Sequence, residues 1–213
     1  MKLPPIYPIL DTELLEKRGV APEVAAAAFL RGGARILQFR HKGQWTREVF
    51  ELGRTIARLC CDRGAHLIVN DRADFAVLLG AGLHLGQDDL SCRDGRKLLG
   101  GEAIIGFSTH NVTQFCSAAE EPVDYMALGP IFPTSSKRDP DPVVGLEELR
   151  RCRSFTDKPL VAIGGITLEN AADVLRAGAD SLAILSGMLP DSPTPGSLQE
   201  RMEEWQARAG QIR

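Results

Sequence analysis

Three polar residues spaced two positions apart, Gln38, Arg40 and Lys42, alternate with apolar ones at the end of a short β-prone run. In an extended segment alternate side chains lie on the same face, so these three share one face, while Leu37 and Phe39 face the other way. Two cations and an amide that converge at a strand end suit a phosphate or a pyrophosphate. A solvated basic strand end, paired with nearby carboxylates, is the alternative.

Carboxylates follow the next two apolar runs. Asn70 and Asp71 come directly after one run, and Gln87, Asp88 and Asp89 come after the other. Carboxylate and amide oxygens are hard ligands, and Mg²⁺ is commonly held by one or two carboxylates together with water and substrate phosphates. Helix capping is the competing interpretation, because Asp71 and Asp89 each precede a segment with helical spacing.

Hydroxyl groups follow the fifth and sixth runs. Ser108, Thr109 and His110 come after the fifth, where a hydroxyl or a turn amide would donate to a phosphate oxygen and a histidine would transfer a proton. A Ser/Thr helix cap and a structural histidine are the alternatives. After the sixth run, the Pro/Ser/Asp-rich stretch 133–145 includes Ser136 and Lys137, and we expect it to be an exposed, mobile loop that folds over an anion as a lid.

Small residues end the last two runs, as Gly164-Gly165 and as Leu185-Ser186-Gly187. Glycine lets backbone N–H groups approach phosphate oxygens without obstruction by a Cβ atom. Many barrels bind a phosphate with the loops after strands seven and eight. A tight turn explains either segment alone, but the pair predicts a phosphate site.

The elements that position these residues alternate along the chain. Helical spacing separates most of the β-prone runs, as in 22–33, 46–64 and 168–180. Such alternation implies parallel strands with right-handed crossovers. We therefore predict an α/β fold, a single (β/α)8 TIM barrel that forms one domain over 1–213, with an open doubly wound sheet as the alternative. Eight runs carry this prediction: 6–10, 35–39, 66–69, 83–86, 103–107, 124–128, 160–164 and 181–185.

Composition excludes several classes of protein. The 213 residues are 44% hydrophobic and 25% charged, an ordinary globular mixture, and the net charge of −3 does not favour a polyanion such as nucleic acid as partner. We find no membrane-spanning stretch and no export signal, and expect no membrane partner. Five cysteines without a CxxC pair favour free thiols in the cytoplasm. The oligomeric state stays open, a homo-oligomer included.

The motifs, taken in order, resemble those of the thiamine-phosphate synthase and thiazole tautomerase family, and the resemblance covers nearly the whole chain. The segments that carry it are QFRHK (38–42), VND (69–71), GLHLGQDDL (82–90), GFSTHN (106–111), YMALGPIFPTSSK (125–137), VAIGGIT (161–167) and ILSG (184–187).

The resemblance implies a transferase reaction. An aminopyrimidine methyl pyrophosphate joins a thiazole phosphate, or its carboxythiazole form, to give thiamine phosphate and pyrophosphate. Pyrophosphate leaves first, with Mg²⁺ as cofactor, and the thiazole nitrogen captures the pyrimidine methyl cation. The implied ligands of Mg²⁺ are Asp71 and Asp89. The implied catalytic residues are Arg40, Lys42, Ser108 and Lys137.

The resemblance also implies how the two substrates are bound. The pyrimidine pyrophosphate would contact six side chains, which are those of Gln38, Arg40, Lys42, Asn70, Ser108 and Lys137. The thiazole phosphate would contact five residues, which are Thr134, Ser136, Gly165, Leu185 and Ser186.

Four positions depart from the family pattern: Leu10, His41, Ser136 and Gly187. We expect Leu10 to reshape one side of the pyrimidine pocket and His41 to have little effect, since alternation directs it away from Arg40. Two other functions stay open. A thiazole tautomerase would need the phosphate site and a histidine such as His110, but gives no reason for the cations and carboxylates. A non-catalytic phosphate-binding regulator would be expected to have lost the metal carboxylates or the cations of the lid, and neither is lost in this sequence.

Overall fold

Eight short strands form a closed parallel barrel in a computed structural model that describes residues 2–134 and 141–211. The strand order follows the sequence, and β1 pairs with β8 to close the ring. The strands are β1 Ile6–Asp11, β2 Ile36–Arg40, β3 His66–Asn70, β4 Gly82–Leu85, β5 Ile105–Thr109, β6 Tyr125–Leu128, β7 Leu160–Ile163 and β8 Ser181–Ile184.

Helices follow the strands and surround the barrel. Within the described ranges they are α1 Thr12–Lys17, α2 Pro22–Arg31, α3 Arg47–Asp62, α4 Ala73–Leu79, α5 Cys92–Leu99, α6 Val112–Ala119, α7 Gly145–Arg153, α8 Ala171–Arg176 and α9 Pro195–Gly210. A short 3₁₀ helix, Ser186–Met188, follows β8. The predicted TIM barrel is confirmed, and each of the eight predicted runs overlaps an observed strand. None of the helices in the described part is long and apolar enough to cross a bilayer.

The core has two layers because strand side chains alternate between the barrel interior and the helices. Outward residues such as Leu37 and Phe39 join the helices in the larger cluster. Inward residues form a second cluster that fills the barrel. Leu10 is fully buried in the outer layer, so the expectation that it reshapes the cavity was wrong; its neighbour Ile9 is the residue that faces inward.

Helix starts explain why the candidate capping residues are available for other roles. Thr46 caps α3, and its hydroxyl accepts from the Val49 amide. In contrast, α4 begins after Arg72, which makes no side-chain cap, and α5 is capped by Ser91. Neither Asp71 nor Asp89 is therefore a helix cap.

Candidate active site

A cavity of about 960 Å³ opens at the end of the barrel where all the strands terminate. Because the strands are parallel, the polar residues that follow them meet at this one rim. Eleven of the predicted site residues line it: Gln38, Arg40, Lys42, Asn70, Asp71, Asp89, Ser108, Thr134, Gly165, Leu185 and Ser186. The predicted roles of Ser136 and Lys137 fall outside the described residues, as does much of the predicted lid.

The two cations at the end of β2, Arg40 and Lys42, both contact carboxylates. Arg40 forms an ion pair with Asp11 at the end of the neighbouring strand, where the parallel register sets the two residues side by side. Asp11 also accepts from the Leu14 amide at 2.9 Å and so caps α1. Lys42 Nζ lies 2.5 Å from Asp71 Oδ2. The strand end is thus a charged cluster that faces the cavity.

The carboxylates of Asp71 and Asp89 are close enough to interact. The cavity wall partly desolvates Asp89, and together with the Asp71 carboxyl this raises the pKa of Asp89, although the Gly86 amide, which donates at 2.7 Å, opposes the shift. Asp71 has a left-handed backbone, with φ at 67°, and its amide donates to the His84 carbonyl at 2.8 Å. That turn directs its carboxylate toward the neighbouring strand end.

This pair of carboxylates fits a bound magnesium ion. Two like charges held together favour a proton or a cation between them, and hard oxygen ligands favour Mg²⁺. Among the described residues there is no cluster of three or more His, Cys, Asp or Glu that could hold a metal. A site with two carboxylates that is completed by water and substrate oxygens matches how Mg²⁺ is commonly bound.

Asn70 presents a buried donor at the same place. Its Nδ2 finds no hydrogen-bond partner within residues 2–134 and 141–211, although the side chain lines the cavity. An unpaired buried donor costs about 1–3 kcal/mol, and its position in the cavity makes the Asn70 amide available to an acceptor atom that enters there.

Strand β5 itself directs Ser108 into the cavity, because Ser108 lies in register with Ala127, which faces inward on β6. The cap of α6 is Asn111, whose side chain accepts from the Gln114 amide at 2.9 Å. Neither Ser108 nor Thr109 caps this helix. The capping alternative for Ser108 was therefore wrong. His110 Nδ1 lies 2.8 Å from the carbonyl of Gly129, which holds the ring against the rim.

A row of polar side chains crosses the floor of the cavity beneath Ser108. His84 lies 2.8 Å from Ser108 Oγ through Nε2 and 2.8 Å from the Tyr125 hydroxyl through Nδ1. Tyr125 contacts the Tyr7 hydroxyl at 3.0 Å, and Gln38 Nε2 donates to Tyr7 at 3.2 Å. Burial lowers the pKa of His84 to about 4 and raises the pKa of both tyrosines. At neutral pH all of these groups are therefore uncharged.

The loops after β6, β7 and β8 form the opposite side of the rim. Gly165 has a φ of 64°, and a Cβ there would lie 2.5 Å from the Pro133 carbonyl oxygen and 2.7 Å from Phe132 Cβ. Its own carbonyl accepts from Asn170 Nδ2 at 3.0 Å. This close packing of glycine against the β6 loop holds Thr134 near the loop after β7.

Sequence reasoning missed several residues of this site, four of which are Tyr7, Asp11, His84 and Tyr125. All four face inward or lie at strand ends, and alternation within each strand was the available signal. Tyr7 sits two residues before Ile9, and Tyr125 two before Ala127, so both share the inward face with residues that line the cavity.

None of the five cysteines lines the cavity, so the site has no cysteine nucleophile. All five are free thiols, and burial raises the pKa of Cys60 to about 12 and that of Cys92 and Cys152 to about 11. Thiols with raised pKa values stay protonated near neutral pH and are poor nucleophiles.

Comparison with known proteins adds an independent result. Residues 6–188 match the family model described as thiamine monophosphate synthase. The thiamine-phosphate synthase of Koribacter versatilis is 45% identical over 197 residues, which are 90% of this chain and 92% of that protein. That of Moorella thermoacetica is 43% identical over 185 residues, 86% and 87% of the two chains. The structure of thiamine phosphate pyrophosphorylase from Pyrococcus furiosus superposes with a TM-score of 0.84 at 30% identity, covering 98% of this chain and 96% of that one.

Proposed function

Since the chain belongs to the thiamine monophosphate synthase family, we propose that the two sides of its rim bind the two substrates of thiamine phosphate synthesis next to each other. The chain is a transferase of thiamine biosynthesis that makes thiamine phosphate. The pyrophosphate of the pyrimidine substrate lies on the side formed by β2 to β5, and the phosphate of the thiazole substrate on the side formed by β6 to β8.

The observation that carries this division is that two cations, two neighbouring carboxylates and a buried amide donor meet on one side. Arg40, Lys42, Asp71 and Asp89 all lie at the ends of β2, β3 and β4, beside the unpaired amide of Asn70. Cations, a pair of carboxylates suited to a metal and a buried donor together match a pyrophosphate, which carries several negative oxygens.

The opposite side matches a single phosphate ester. It offers the Thr134 hydroxyl and the backbone of the loops at Gly165 and at Leu185-Ser186. Such loops bind phosphate through N–H groups, as barrels do after strands seven and eight.

The chemistry that follows is a dissociative substitution. The bond between the pyrimidine methylene carbon and the pyrophosphate oxygen breaks, and its electron pair stays on the departing oxygen. Arg40, Lys42 and Ser108 stabilise the charge that develops there. A bound Mg²⁺ held by Asp71 and Asp89 would neutralise part of the charge on the pyrophosphate.

The carbon–nitrogen bond then forms from the thiazole nitrogen to the methylene carbon. The chain needs no covalent nucleophile for this step, only a thiazole held close to the cation before water reaches it. The packing of Gly165 against Phe132 and Pro133 keeps the phosphate loop fixed in that position.

The partners of the chain are accordingly two small phosphorylated molecules. We place the reaction in the cytoplasm, where the free thiols of all five cysteines would persist.

A direct assay tests the function. Purified protein is given both substrates with Mg²⁺, and thiamine phosphate is followed by chromatography, with EDTA in a parallel reaction. We expect product that depends on both substrates and on the metal. Absence of product, under conditions in which a known synthase is active, would refute the function. Undiminished product in EDTA would refute the magnesium assignment alone.

A further inference from the structure

The hydrogen bonds on the cavity floor form one continuous chain. It runs from Gln38 through Tyr7, Tyr125 and His84 to Ser108, and contributions come from β2, β1, β6, β4 and β5 in turn. The first four side chains are buried, and Ser108, which lines the cavity, is the partly exposed end of the chain. A chain of this kind has a direction, because each hydroxyl has one hydrogen to donate.

The direction is set at Gln38. Its Nε2 donates to the Tyr7 oxygen and cannot accept, and with Nε2 placed there every hydroxyl hydrogen of the chain finds an acceptor among the described residues when Tyr7 donates to Tyr125. The Tyr125 oxygen then accepts, and its own hydrogen must point to His84 Nδ1. A nitrogen that accepts carries no proton, so neutral His84 is protonated at Nε2 and donates from there to Ser108.

We propose that this buried chain acts on the reaction by compelling the Ser108 hydroxyl to donate its hydrogen into the cavity. The oxygen of Ser108 already accepts from His84, so the hydroxyl hydrogen is directed toward the anion that occupies the site. The proposal rests on the placement of pyrophosphate beside Ser108 under the proposed function. Tyr7, Tyr125 and His84 are then positioning residues, which act on the leaving group by fixing the orientation of the Ser108 hydroxyl.

A glycine in the barrel provides the space that this hydrogen-bond chain needs. Gly106 lies opposite Tyr125 in the register of β5 and β6, and a Cβ at Gly106 would fall 1.9 Å from the Tyr125 ring. Only glycine at that position lets the tyrosine lie across the floor. The Tyr7 and Tyr125 rings pack edge to face, with centroids 6.0 Å apart, which fixes both hydroxyls relative to each other.

The first test determines the direction of the hydrogen-bond chain in the unsubstituted protein. Long-range ¹⁵N–¹H spectra of protein labelled in its four histidines report which ring nitrogen carries the proton. His84 is assigned by the loss of its signals in His84→Gln or by elimination using single variants of the other three. We expect the Nε2–H form at neutral pH. An Nδ1–H form, or a doubly protonated ring, in an enzyme that makes thiamine phosphate would overturn this proposal and leave the proposed function intact.

The second test asks whether Tyr125 acts through Ser108. Single-turnover rates are measured for Tyr125→Phe, Ser108→Ala and the double variant. We expect Ser108→Ala to slow the reaction about 100-fold, as for loss of one donor to a developing anion. Tyr125→Phe should slow it about tenfold in the parent, with an unchanged KM for the pyrimidine substrate, and by less than twofold once Ser108 is alanine.

Equal effects of Tyr125→Phe in both backgrounds would mean that Tyr125 acts only on the structure, and would overturn the proposal. Thr109→Val is the matched control, because Thr109 also has a buried hydroxyl on β5, which donates to the Ala127 carbonyl at 2.8 Å. It should leave the rate and the His84 tautomer unchanged. If Tyr125→Phe does not fold, Tyr7→Phe interrupts the chain one link earlier and takes its place in the same cycle, with the same expected and contradicting results.

Discussion

Substituting Gly165 with alanine tests whether the loop after β7 holds the thiazole phosphate. The added Cβ would lie 2.5 Å from the Pro133 carbonyl oxygen and 2.7 Å from Phe132 Cβ, both too close to persist. To restore ordinary contacts, the two loops must separate by about 1 Å. The left-handed backbone, with φ at 64°, adds strain that alanine does not tolerate well.

Two effects of different size follow. The backbone strain should lower the free energy of unfolding by about 1 kcal/mol, or about 2–4 °C in Tm. Misplacement of a positioning loop by about 1 Å is worth about 100-fold in rate. We therefore expect kcat/KM for the thiazole phosphate to fall about 100-fold in Gly165→Ala, while KM for the pyrimidine pyrophosphate changes little.

Gly19 provides the matched control. Its φ of 65° is nearly identical, but a Cβ there has nothing within 4 Å, and the residue follows α1 away from the cavity. Gly19→Ala should lose the same strain energy, without the added cost of separating two loops, and should keep its kinetics. Steady-state kinetics with each substrate measure the loss of activity, and thermal unfolding measures the loss of stability, in both variants. If Gly165→Ala affected thiazole phosphate no more than Gly19→Ala does, the phosphate-site assignment would be refuted.

Two further predictions concern the charged side of the rim and the floor. Asp71→Asn should abolish most magnesium-dependent turnover yet leave the affinity for thiazole phosphate, measured by calorimetry, largely intact. Asp88→Asn, next to Asp89, should alter neither property. Loss of both properties in Asp71→Asn would contradict the division into two sides. Burial lowers the pKa of His84 to about 4 in the folded protein, whereas in the unfolded chain the same ring binds a proton below about pH 6.5. The free energy of unfolding, measured in urea, should therefore fall by about 2 kcal/mol from pH 7 to pH 5 because of His84. This loss should disappear in His84→Gln and persist in His66→Gln, where the substituted histidine is exposed. Equal pH dependence in the two variants would show that His84 is not the cause.

Periodicity was enough to predict the barrel and most of its rim. The alternation of Gln38 and Arg40 with Leu37 and Phe39 gives the inward face of β2 directly, and the structure confirms it. Because all strands are parallel, knowing which residues follow each strand is nearly equivalent to knowing which residues meet.

Helix capping was harder to judge from the chain alone. Asp71, Asp89 and Ser108 all looked like caps, yet the helices begin one to three residues later, after Arg72, Ser91 and Asn111. A cap is defined by the first helical residue, and boundaries of that precision depend on how the helix packs.

Contacts between strands were not accessible either. The ion pair of Arg40 with Asp11 depends on the register of β1 and β2, and the floor contact of Tyr125 depends on the glycine opposite it in β5. A single sequence does not specify these registers, so Tyr7, His84 and Tyr125 were interpreted only as parts of apolar runs.

A crystal structure of the protein with Mn²⁺, pyrophosphate and thiamine phosphate tests the arrangement of the rim most directly, since anomalous scattering marks the metal. We predict the metal on the carboxylates of Asp71 and Asp89, the pyrophosphate between it and Arg40 with Ser108 in hydrogen-bond contact, and the phosphate ester at the Gly165 loop. A metal bound elsewhere, or the two phosphate groups in exchanged positions, would contradict the account.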